Sequence, residues 1–406
     1  MLRAFCLVVL LPLSAVAADW PQWRGPNRDG VVATPKLPAH WPETLTQLWQ
    51  VTVGEGHSSP LIVGKRVYIH TRADDVEVVR CLDLADGKEI WKQTNPAPYE
   101  MNSAATAHGK GPKSTPALAE GKLVTFGISG ILSAFDASSG KLLWRKDFSR
   151  TFRNTSPLYG TALSPLIDGN RVLVHVGGHD AGALSAFSLD KGQTLWTASK
   201  DGPGYSSPVL VTLAGQKQYV LQTQRALVGV SPAGRLLWQL PYTTEYDQNI
   251  VTPVIFNDLV IHSGYNRPLQ AIRVTGKGTW NLRSVWENEE LPMYMSSPVL
   301  SGKYLYGMTQ RNAGQLFCIE ASTGKVAWKS PGRQGENVAL VKAGEVFLAL
   351  NNEGRLTVFR DSSTKFDPVK TYRVADTPTW AHPVVSGNVL LIKDLEKLTA
   401  YRLAEE

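Results

Sequence analysis

Twelve polar or aromatic residues of this sequence stand between apolar segments and have side chains suited to binding. Histidine, tyrosine and arginine combine hydrogen-bonding groups with flat surfaces, and lysine adds a compact positive charge. Binding residues are usually carried by loops on a rigid scaffold, so we predict that these side chains form a face for a ligand or partner. The twelve residues are His57, His108, Lys113, His179, Tyr205, Arg225, Tyr246, Asp247, Arg267, Tyr294, Arg311 and His382.

Two local groups within or beside this set suggest more specific chemistry. His179-Asp180 is a candidate general base next to an orienting acid, although adjacent side chains rarely point toward each other. Tyr246-Asp247 and Asn249 offer oxygen ligands to a hard cation, but no calcium-loop pattern surrounds them. The eight histidines also lack zinc-site spacing. We therefore assign no catalytic residue and predict no metal site.

A repeated motif supplies the scaffold for these residues. Glycine is followed four residues later by tryptophan in six places, and a Ser, Thr or His stands before proline once per repeat of about 45 residues. A tryptophan at this position has the area to fill the space between two packed sheets. Trp286 is preferred to Trp280 because its distance from Pro298 matches that of Trp196 from Pro208. The structural set is Trp49, Trp91, Trp144, Trp196, Trp238, Trp286 and Trp328.

Each repeat consists of four short segments of alternating apolar residues, separated by turn residues, as expected for β-strands. Eight repeats begin near residues 60, 116, 165, 208, 253, 298, 339 and 383. Four strands per repeat predict an all-β, eight-bladed β-propeller of four-stranded antiparallel blades. The seventh repeat lacks its proline and has Tyr372 near the tryptophan position. Residues 46 to 52 hold an unpaired tryptophan strand, so we expect this N-terminal strand to complete the last blade and close the ring.

The ends of the chain define its predicted domains. Residues 1–18 combine Arg3, a short apolar stretch and small residues at Ala15 and Ala17, which predicts a secretory signal peptide. Residues 19–45 form an N-terminal extension, and residues 46–406 form the propeller. We expect an exported protein, periplasmic or secreted, with no transmembrane segment. We also expect a chain that lacks the residues before 46 to keep its fold.

The distribution of charge excludes one class of partner, and the positions of the cysteines exclude a disulfide. The net charge of +7 is spread along the chain, and no basic block resembles a nucleic-acid arm, so nucleic acid is excluded as a partner. Cys81 and Cys318 occupy the same register in repeats one and six. Those repeats are three blades apart in the ring, too far for a disulfide, so both thiols should be free and buried. We expect a monomer.

The segment Ala-Phe-Asp-Ala-Ser-Ser-Gly-Lys-Leu-Leu-Trp at residues 134–144, and its counterpart at 318–328, resembles the pyrroloquinoline-quinone (PQQ) propeller repeat. The likeness covers nearly the whole mature chain, and the opening Asp19-Trp20-Pro21-Gln22-Trp23-Arg24-Gly25-Pro26 resembles that of secreted PQQ-like proteins. This family includes quinoprotein dehydrogenases and the outer-membrane assembly protein BamB, which has the fold and no quinone. The resemblance implies the fold and leaves the chemistry open.

Two functions from different classes follow from the resemblance. The favoured one is a BamB-like binding or scaffold module that binds a protein or glycan at the channel-entry face and has no cofactor or catalytic activity. The alternative is a small PQQ-dependent dehydrogenase acting on an alcohol or sugar, with PQQ and Ca²⁺. Quinone enzymes of the family normally carry adjacent cysteines and long inserted loops, and this sequence has neither.

Overall fold

The structure of the chain is a computed structural model that describes residues 18–276 and 278–404. Nearly all of the predicted signal peptide lies outside these residues. The described part contains strands and three short 3₁₀ helices, Ser103–His108, Glu245–Asp247 and Arg311–Ala313. Eight sheets, each built on four antiparallel strands, follow one another along the chain, which confirms the predicted eight-bladed β-propeller. No helix within these described ranges has the length and apolarity needed to cross a bilayer.

The first two strands precede the first complete blade; they are β1 (Val31–Val32) and β2 (Thr46–Thr52). Blade one consists of β3 (Leu61–Val63), β4 (Arg66–Ala73), β5 (Val76–Asp83) and β6 (Glu89–Pro96). Blade two consists of β7 (Ala117–Ala119), β8 (Lys122–Phe126), β9 (Leu132–Asp136) and β10 (Leu142–Lys146). Blade three consists of β11 (Leu166–Asp168), β12 (Arg171–Gly178), β13 (Ala181–Ser188) and β14 (Thr194–Ala198). Blade four consists of β15 (Val209–Leu213), β16 (Gln216–Gln222), β17 (Ala226–Val230) and β18 (Leu236–Pro241).

The second half of the ring repeats this order. Blade five consists of β19 (Val254–Phe256), β20 (Leu259–Gly264), β21 (Arg267–Thr275) and β22 (Asn281–Asn288). Blade six consists of β23 (Val299–Ser301), β24 (Tyr304–Thr309), β25 (Gln315–Glu320) and β26 (Val326–Lys329). Blade seven consists of β27 (Val338–Ala343), β28 (Val346–Asn351), β29 (Arg355–Arg360) and β30 (Pro368–Arg373). Blade eight consists of β31 (Val384–Ser386), β32 (Val389–Lys393), β33 (Lys397–Arg402) and the early strand β2.

Ring closure follows the predicted pairing. β2 pairs antiparallel with β33, and Trp49 stands opposite Ala400. In blade seven Tyr372 takes the place of the tryptophan, and its hydroxyl donates to the carbonyl of Pro42, 2.8 Å away. Pro42 lies just before β2, so the substituted residue still ties blade seven to the strand that closes blade eight. β2 therefore covers the edge that β33 would otherwise expose on the outer side of blade eight.

The repeated tryptophans join neighbouring blades. Each blade has a register shift between its third and fourth strands beside this position, a β-bulge that redirects the side chain. The indole N–H of Trp91, for example, donates to the carbonyl of Ala137 in the next blade, and a Cβ on Gly140 would lie 2.5 Å from the same ring. Trp286 makes the equivalent bond to Ala321, whereas Trp238 instead donates to Gln218 in its own blade.

A chain of hydrogen bonds around the channel explains the recurrent Ser/Thr-Pro motif. In each bond, the backbone N–H of the residue before proline donates to the side-chain hydroxyl at the same position of the next blade. These bonds measure 2.8 to 3.2 Å and join His382 to Ser59, Ser59 to Thr115, Thr115 to Ser164, Ser164 to Ser207, Ser207 to Thr252 and Thr252 to Ser297. The motif therefore links blades eight, one, two, three, four, five and six at the start of their inner strands.

The N-terminal extension packs into the ring. Trp20 is 2% exposed and exchanges two backbone hydrogen bonds with Ile62 of blade one. β1 pairs in parallel with β27 and becomes a fifth strand of blade seven. The structure contradicts the expectation that the residues before 46 can be removed without cost, because their loss would remove the buried Trp20 from blade one and strip β1 from the edge of β27. The repeat pattern gave no sign of this, since the extension lies outside the repeats.

The two cysteines occupy equivalent places, as predicted. Cys81 pairs with Trp91 in blade one, and Cys318 pairs with Trp328 in blade six. Both are free and buried, which confirms the prediction that no disulfide joins them. Burial raises the pKa of Cys81 to about 11 and that of Cys318 to about 12, so both stay protonated at neutral pH.

Candidate functional site

A cavity of about 300 Å³ opens where the eight loops that enter the inner strands converge. Each of these loops contributes at least one residue to its wall. The lining is rich in histidine, tyrosine and tryptophan, and among the described residues it contains no carboxylate. The principal lining residues are Trp23, His57, His108, Lys113, Tyr159, Tyr205, Gln248, Tyr294, Asn337, Trp380 and His382.

One wall is a cluster of aromatic rings from three loops. His57 Nε2 lies 3.0 Å from the carbonyl of His108 and holds the loop between blades one and two against the loop that enters blade one. The His108 ring meets Trp380 edge-on, with centroids 4.9 Å apart. Burial, followed by the charge of Lys113 and then of Lys393, lowers the pKa of His57 to about 3. Burial and Lys113 also lower the pKa of His108, so both imidazoles are neutral at pH 7.

Lys113 supplies the positive charge of the cavity. Its ammonium donates to the carbonyl of Tyr159, 2.5 Å away, and the backbone N–H of Tyr159 donates to the Tyr205 hydroxyl. Burial lowers the pKa of Lys113 to about 8, and no carboxylate contributes to that value. The ammonium is therefore still largely charged at pH 7 and has hydrogen-bonding capacity left, since it carries three donors.

The floor of the cavity is Trp23, carried by residues 20–30, which we call the plug. The guanidinium carbons of Arg24 and Arg28 lie 5.4 and 5.5 Å from the Trp23 ring centroid. Arg24 donates to the carbonyl of Pro298 in blade six, whereas Arg28 donates to those of Ser164 and Pro165 at the start of blade three. Both side chains thus span from the plug to opposite sides of the channel.

Burial gives the plug a distinct electrostatic character. It lowers the pKa of Arg24 to about 10 and that of Arg28 to about 9, so both remain charged at neutral pH. Their hydrogen-bond partners include carbonyl oxygens and the Gln22 amide, and no described carboxylate pairs with either group. Trp23 also meets His382 edge-on at 5.5 Å, and burial, followed by Arg24, lowers the pKa of His382 to about 3. The cavity therefore has two cations beneath its floor.

Six of the twelve predicted residues line this cavity, namely His57, His108, Lys113, Tyr205, Tyr294 and His382. The other six do not enter it. Three of them form a separate cluster on the rim, where His179 Nε2 lies 3.1 Å from an oxygen of Asp247 and Arg225 pairs with Asp180. His179 and Asp180 are 3.9 Å apart, too far for the hydrogen bond of a base and its orienting acid, so that hypothesis is wrong.

The last three predicted residues stand further out on the same face. Tyr246 is 67% exposed and contacts Tyr265, which in turn contacts Tyr294 of the cavity at 4.8 Å. Arg267 packs over the Tyr242 ring, and Arg311 begins the short helix after β24. The Asn249 amide is buried, and its nitrogen donates to three backbone carbonyls.

Several lining residues were not among those predicted. Trp380 stands two residues before His382 in the same entering loop, so its position in the loop was the available signal. Trp23 lies in the extension, outside the repeats, and carried no such signal. Asn337 stands where blade seven has lost its Ser/Thr-Pro motif, and its side chain accepts from Ser296. Asn337 takes this place because blade seven lacks the Ser/Thr-Pro motif, and the repeat pattern showed only that a proline was missing there.

Quinone-using propellers of this class hold their cofactor together with a calcium ion. Calcium takes six to eight oxygen ligands, usually with carboxylates among them. The cavity lining has no carboxylate, and no group of three or more His, Cys, Asp or Glu residues in 18–276 and 278–404 is arranged to hold a metal ion. Cys81 and Cys318 lie in separate blades, away from the lining residues. The residues therefore do not fit a calcium-assisted quinone, whereas the aromatic, cationic wall is compatible with an organic anion.

These features define a β-propeller of the PQQ-like repeat class with a ligand-sized cavity at one end of its channel. The chain belongs to the family described as outer membrane protein assembly factor BamB, whose profile matches residues 31–99 and 75–330. It is 26% identical to the BamB of Yersinia pestis over 376 residues, which cover 86% of each chain. It is 27% identical to the BamB of Shewanella oneidensis over 226 residues, 53% of this chain, and spans 55% of that protein's length.

Solved structures share the architecture. The BamB of Moraxella catarrhalis superposes with a TM-score of 0.63 and 15% identity, over 88% of this chain and all of that one. The quinohemoprotein alcohol dehydrogenase of Comamonas testosteroni superposes with a TM-score of 0.68 and 12% identity, over 96% of this chain and 81% of that one. At these identities the likeness shows the fold alone.

Proposed function

We propose that this chain is an exported binding or scaffold module of the cell envelope, similar in role to BamB, and that a protein or glycan partner docks on the channel-entry face. The observation that carries the proposal is the convergence of all eight entering loops on this face, six of which bring aromatic or basic side chains to the cavity. Such side chains are enriched in binding hot spots.

The rim around the cavity is suited to a macromolecular partner. Tyr246, Arg225 and Arg311 are exposed there, and they come from loops of different blades. A partner that covers the rim would desolvate these side chains together, which is how hot spots gain their effect. The scaffold beneath them is rigid because neighbouring blades are joined by the backbone-to-hydroxyl hydrogen bonds around the channel, which we call the hydroxyl chain, and by the repeated tryptophans.

Site-specific photocrosslinking tests the docking face. A photoreactive amino acid at Tyr246 or Arg311 should give discrete adducts in cells that produce the chain. The same residue at Lys65 or Asn170, which lie in exposed turns at the opposite ends of blades one and three, should give none. Adducts from the opposite turns alone would refute the proposed face. Intact mass of the secreted protein, starting at Ala18 or Asp19, tests the export step separately.

The second candidate is a small PQQ-dependent dehydrogenase. The carboxylate-free aromatic cavity favours an anionic quinone, whereas the donor set disfavours its calcium ion. A titration with PQQ, with and without calcium, separates the candidates. Quinone absorbance together with dye-linked oxidation of an alcohol or sugar would support the enzyme, and quinone binding without turnover would leave the binding module in place.

A further inference from the structure

One half of the outer edge of the ring carries exposed aliphatic side chains. Of the six large hydrophobic side chains that are exposed in the described part of the chain, five lie on β6, β10, β14 and β18, the outer strands of blades one to four. Each stands one or two residues before the repeated tryptophan, and we call this group the outer arc. Single exposed apolar residues are normal, whereas an apolar patch marks a protein or membrane contact. The five residues, each 40 to 48% exposed, are Ile90, Leu142, Leu143, Leu195 and Leu236.

Positive charge is concentrated at blade two of the same arc. Residues 141–153 include β10 and the start of the loop that follows it, and they contain five basic residues and one acidic residue, Asp147. Three of the basic side chains are exposed and two are half-buried. The outer arc is therefore both apolar and cationic. The basic residues are Lys141, Arg145, Lys146, Arg150 and Arg153.

The two half-buried cations are held in place by neighbouring blades. The Arg145 guanidinium donates to the carbonyl of Pro96, at the end of β6 in blade one. The Lys146 ammonium lies 5.2 Å from the ring centroid of Phe187 in blade three. Both partners are uncharged, so these contacts fix the two cations without neutralising them. A side chain that is already held loses less conformational entropy when a partner binds it.

Acidic residues do not offset this charge. Glu89 of β6 pairs with Arg80 in its own blade, and Asp190, just before β14, pairs with Lys122 of blade two. On the other half of the ring the charge is reversed, because the outer edge of blade five carries three exposed acidic residues. A negatively charged surface would thus attract blade two and repel blade five. The three acidic residues are Glu287, Glu289 and Glu290.

The shape and composition of the outer arc favour a lipid surface over a protein. The outer strands of a ring form a convex surface, which a protein partner must match with a concave one, whereas a fluid lipid surface adapts to it. Aliphatic side chains insert among acyl chains, and lysine and arginine keep their charged ends at the headgroups. Anionic headgroups attract such basic residues.

We propose that the outer arc, centred on β10, docks the ring edge-on to an anionic lipid surface. Leu142 and Leu143 enter the acyl chains, and the basic residues of 141–153 meet the headgroup phosphates. In this orientation the channel-entry face stays open to a partner. The lipid site is separate from that face and does not depend on the proposed function.

Co-sedimentation of the mature chain with two kinds of vesicle tests the proposal. One kind is pure phosphatidylcholine, and the other contains phosphatidylglycerol and phosphatidylcholine in equal amounts. We expect at least about tenfold tighter binding to the anionic vesicles, because each basic residue near such a surface contributes about fivefold to the affinity. Added salt should weaken the binding, since it screens exposed charges. Equal binding to the two kinds of vesicle, or binding to neither, would overturn the proposal.

Two variants of blade two have matched controls in blade six, on the opposite side of the ring. Lys141→Glu and Leu143→Ser should each weaken binding to the anionic vesicles at least about fivefold, through lost charge and lost apolar insertion. Lys325→Glu and Ala327→Ser change the exposed residues at the same two repeat positions of blade six and should leave binding unchanged. Melting temperature verifies the fold of all four. Equal losses in the two blades would reject the outer arc as the lipid site.

Photocrosslinking in cells separates a lipid surface from an acidic protein. A photoreactive amino acid at Leu143 should give lipid adducts and no discrete protein adduct. A discrete protein adduct would assign the outer arc to a protein partner and overturn the lipid proposal. Adducts from Tyr246 report the channel-entry face and should persist in Lys141→Glu. Their absence from the parent chain, with vesicle binding retained, would reject the docking proposal alone.

Discussion

Replacing His262 with phenylalanine should make the protein less sensitive to mild acid. His262 lies in β20, is fully buried, and meets Tyr242 edge-on at 4.7 Å. Neither ring nitrogen has a hydrogen-bond partner among the described residues. Burial, followed by the charge of Arg267, lowers its pKa to about 3. In the unfolded chain the same imidazole titrates near its ordinary pKa of about 6.5.

The sign and size follow from this difference. Between pH 6.5 and 3 the unfolded state binds a proton at His262 that the folded state does not, so stability falls as the pH falls. The stability that comes from the neutral imidazole is fully present above pH 6.5. At pH 5, about 1.5 units below the unfolded pKa, the free energy of unfolding is lower by about 2 kcal/mol, at 1.36 kcal/mol for each unit. His57, His175 and His382 act in the same direction, so the parent chain should lose more than this in total.

The assay is chemical denaturation at pH 7.5 and pH 5.0. Few carboxylates change their protonation between these two values, so they contribute little to the difference in the free energy of unfolding. The drop in the free energy of unfolding should be smaller by about 2 kcal/mol in His262→Phe than in the parent chain. His262→Gln is the second variant, because a change in packing from phenylalanine would alter stability at both pH values alike. Identical drops in the parent chain and both variants would refute the assignment of a neutral buried imidazole.

Three other perturbations probe the scaffold. Gly140→Ala should destabilise the protein more than Gly121→Ala. Both glycines have positive φ and share a backbone strain of about 1–2 kcal/mol, but only a Cβ at Gly140 would meet an indole, that of Trp91. Denaturation curves that coincide for the two variants would contradict the packing of blades by this ring. Thr252→Val should cost about 1–3 kcal/mol, since it leaves the Ser207 N–H unpaired; an unchanged midpoint would argue against the hydroxyl chain. Maleimide counting on the mature protein should label few thiols when native and two when denatured, and a disulfide found by mass spectrometry would contradict the blade register.

The fold could be predicted because its determinants recur. A glycine that packs on a tryptophan of the preceding blade appears again and again at one spacing, and each occurrence supports the others. The closing strand could be predicted as well, since Trp49 stands in a tryptophan strand with no repeat before it. Boundaries of single strands mattered little, because the period fixed the number and order of the blades.

The site was only partly predictable because loops do not repeat. Loop position identified His57, His108 and Lys113, but it did not distinguish cavity from rim, so Arg225 and Arg311 were grouped with them. Whether a loop side chain turns inward depends on partners from other blades, such as the Tyr159 carbonyl that holds Lys113. That information is spread over residues distant in sequence and has no local pattern.

The irregular seventh blade connects the scaffold to the site. Inner strands have three residues in six of the eight blades, whereas β27 has six and pairs with β1. Because proline has no N–H to donate, its absence leaves the Val338 N–H free to donate to Ser296 and extends the strand. β1 pairs with the other end of that strand, at Lys342 and Ala343, and it directly follows the plug in the chain, so this pairing anchors the plug and with it the Trp23 floor to blade seven. The same extension pairs through Trp20 with Ile62 of blade one, which keeps its proline, so regular and irregular blades both hold the plug by the edges of their inner strands.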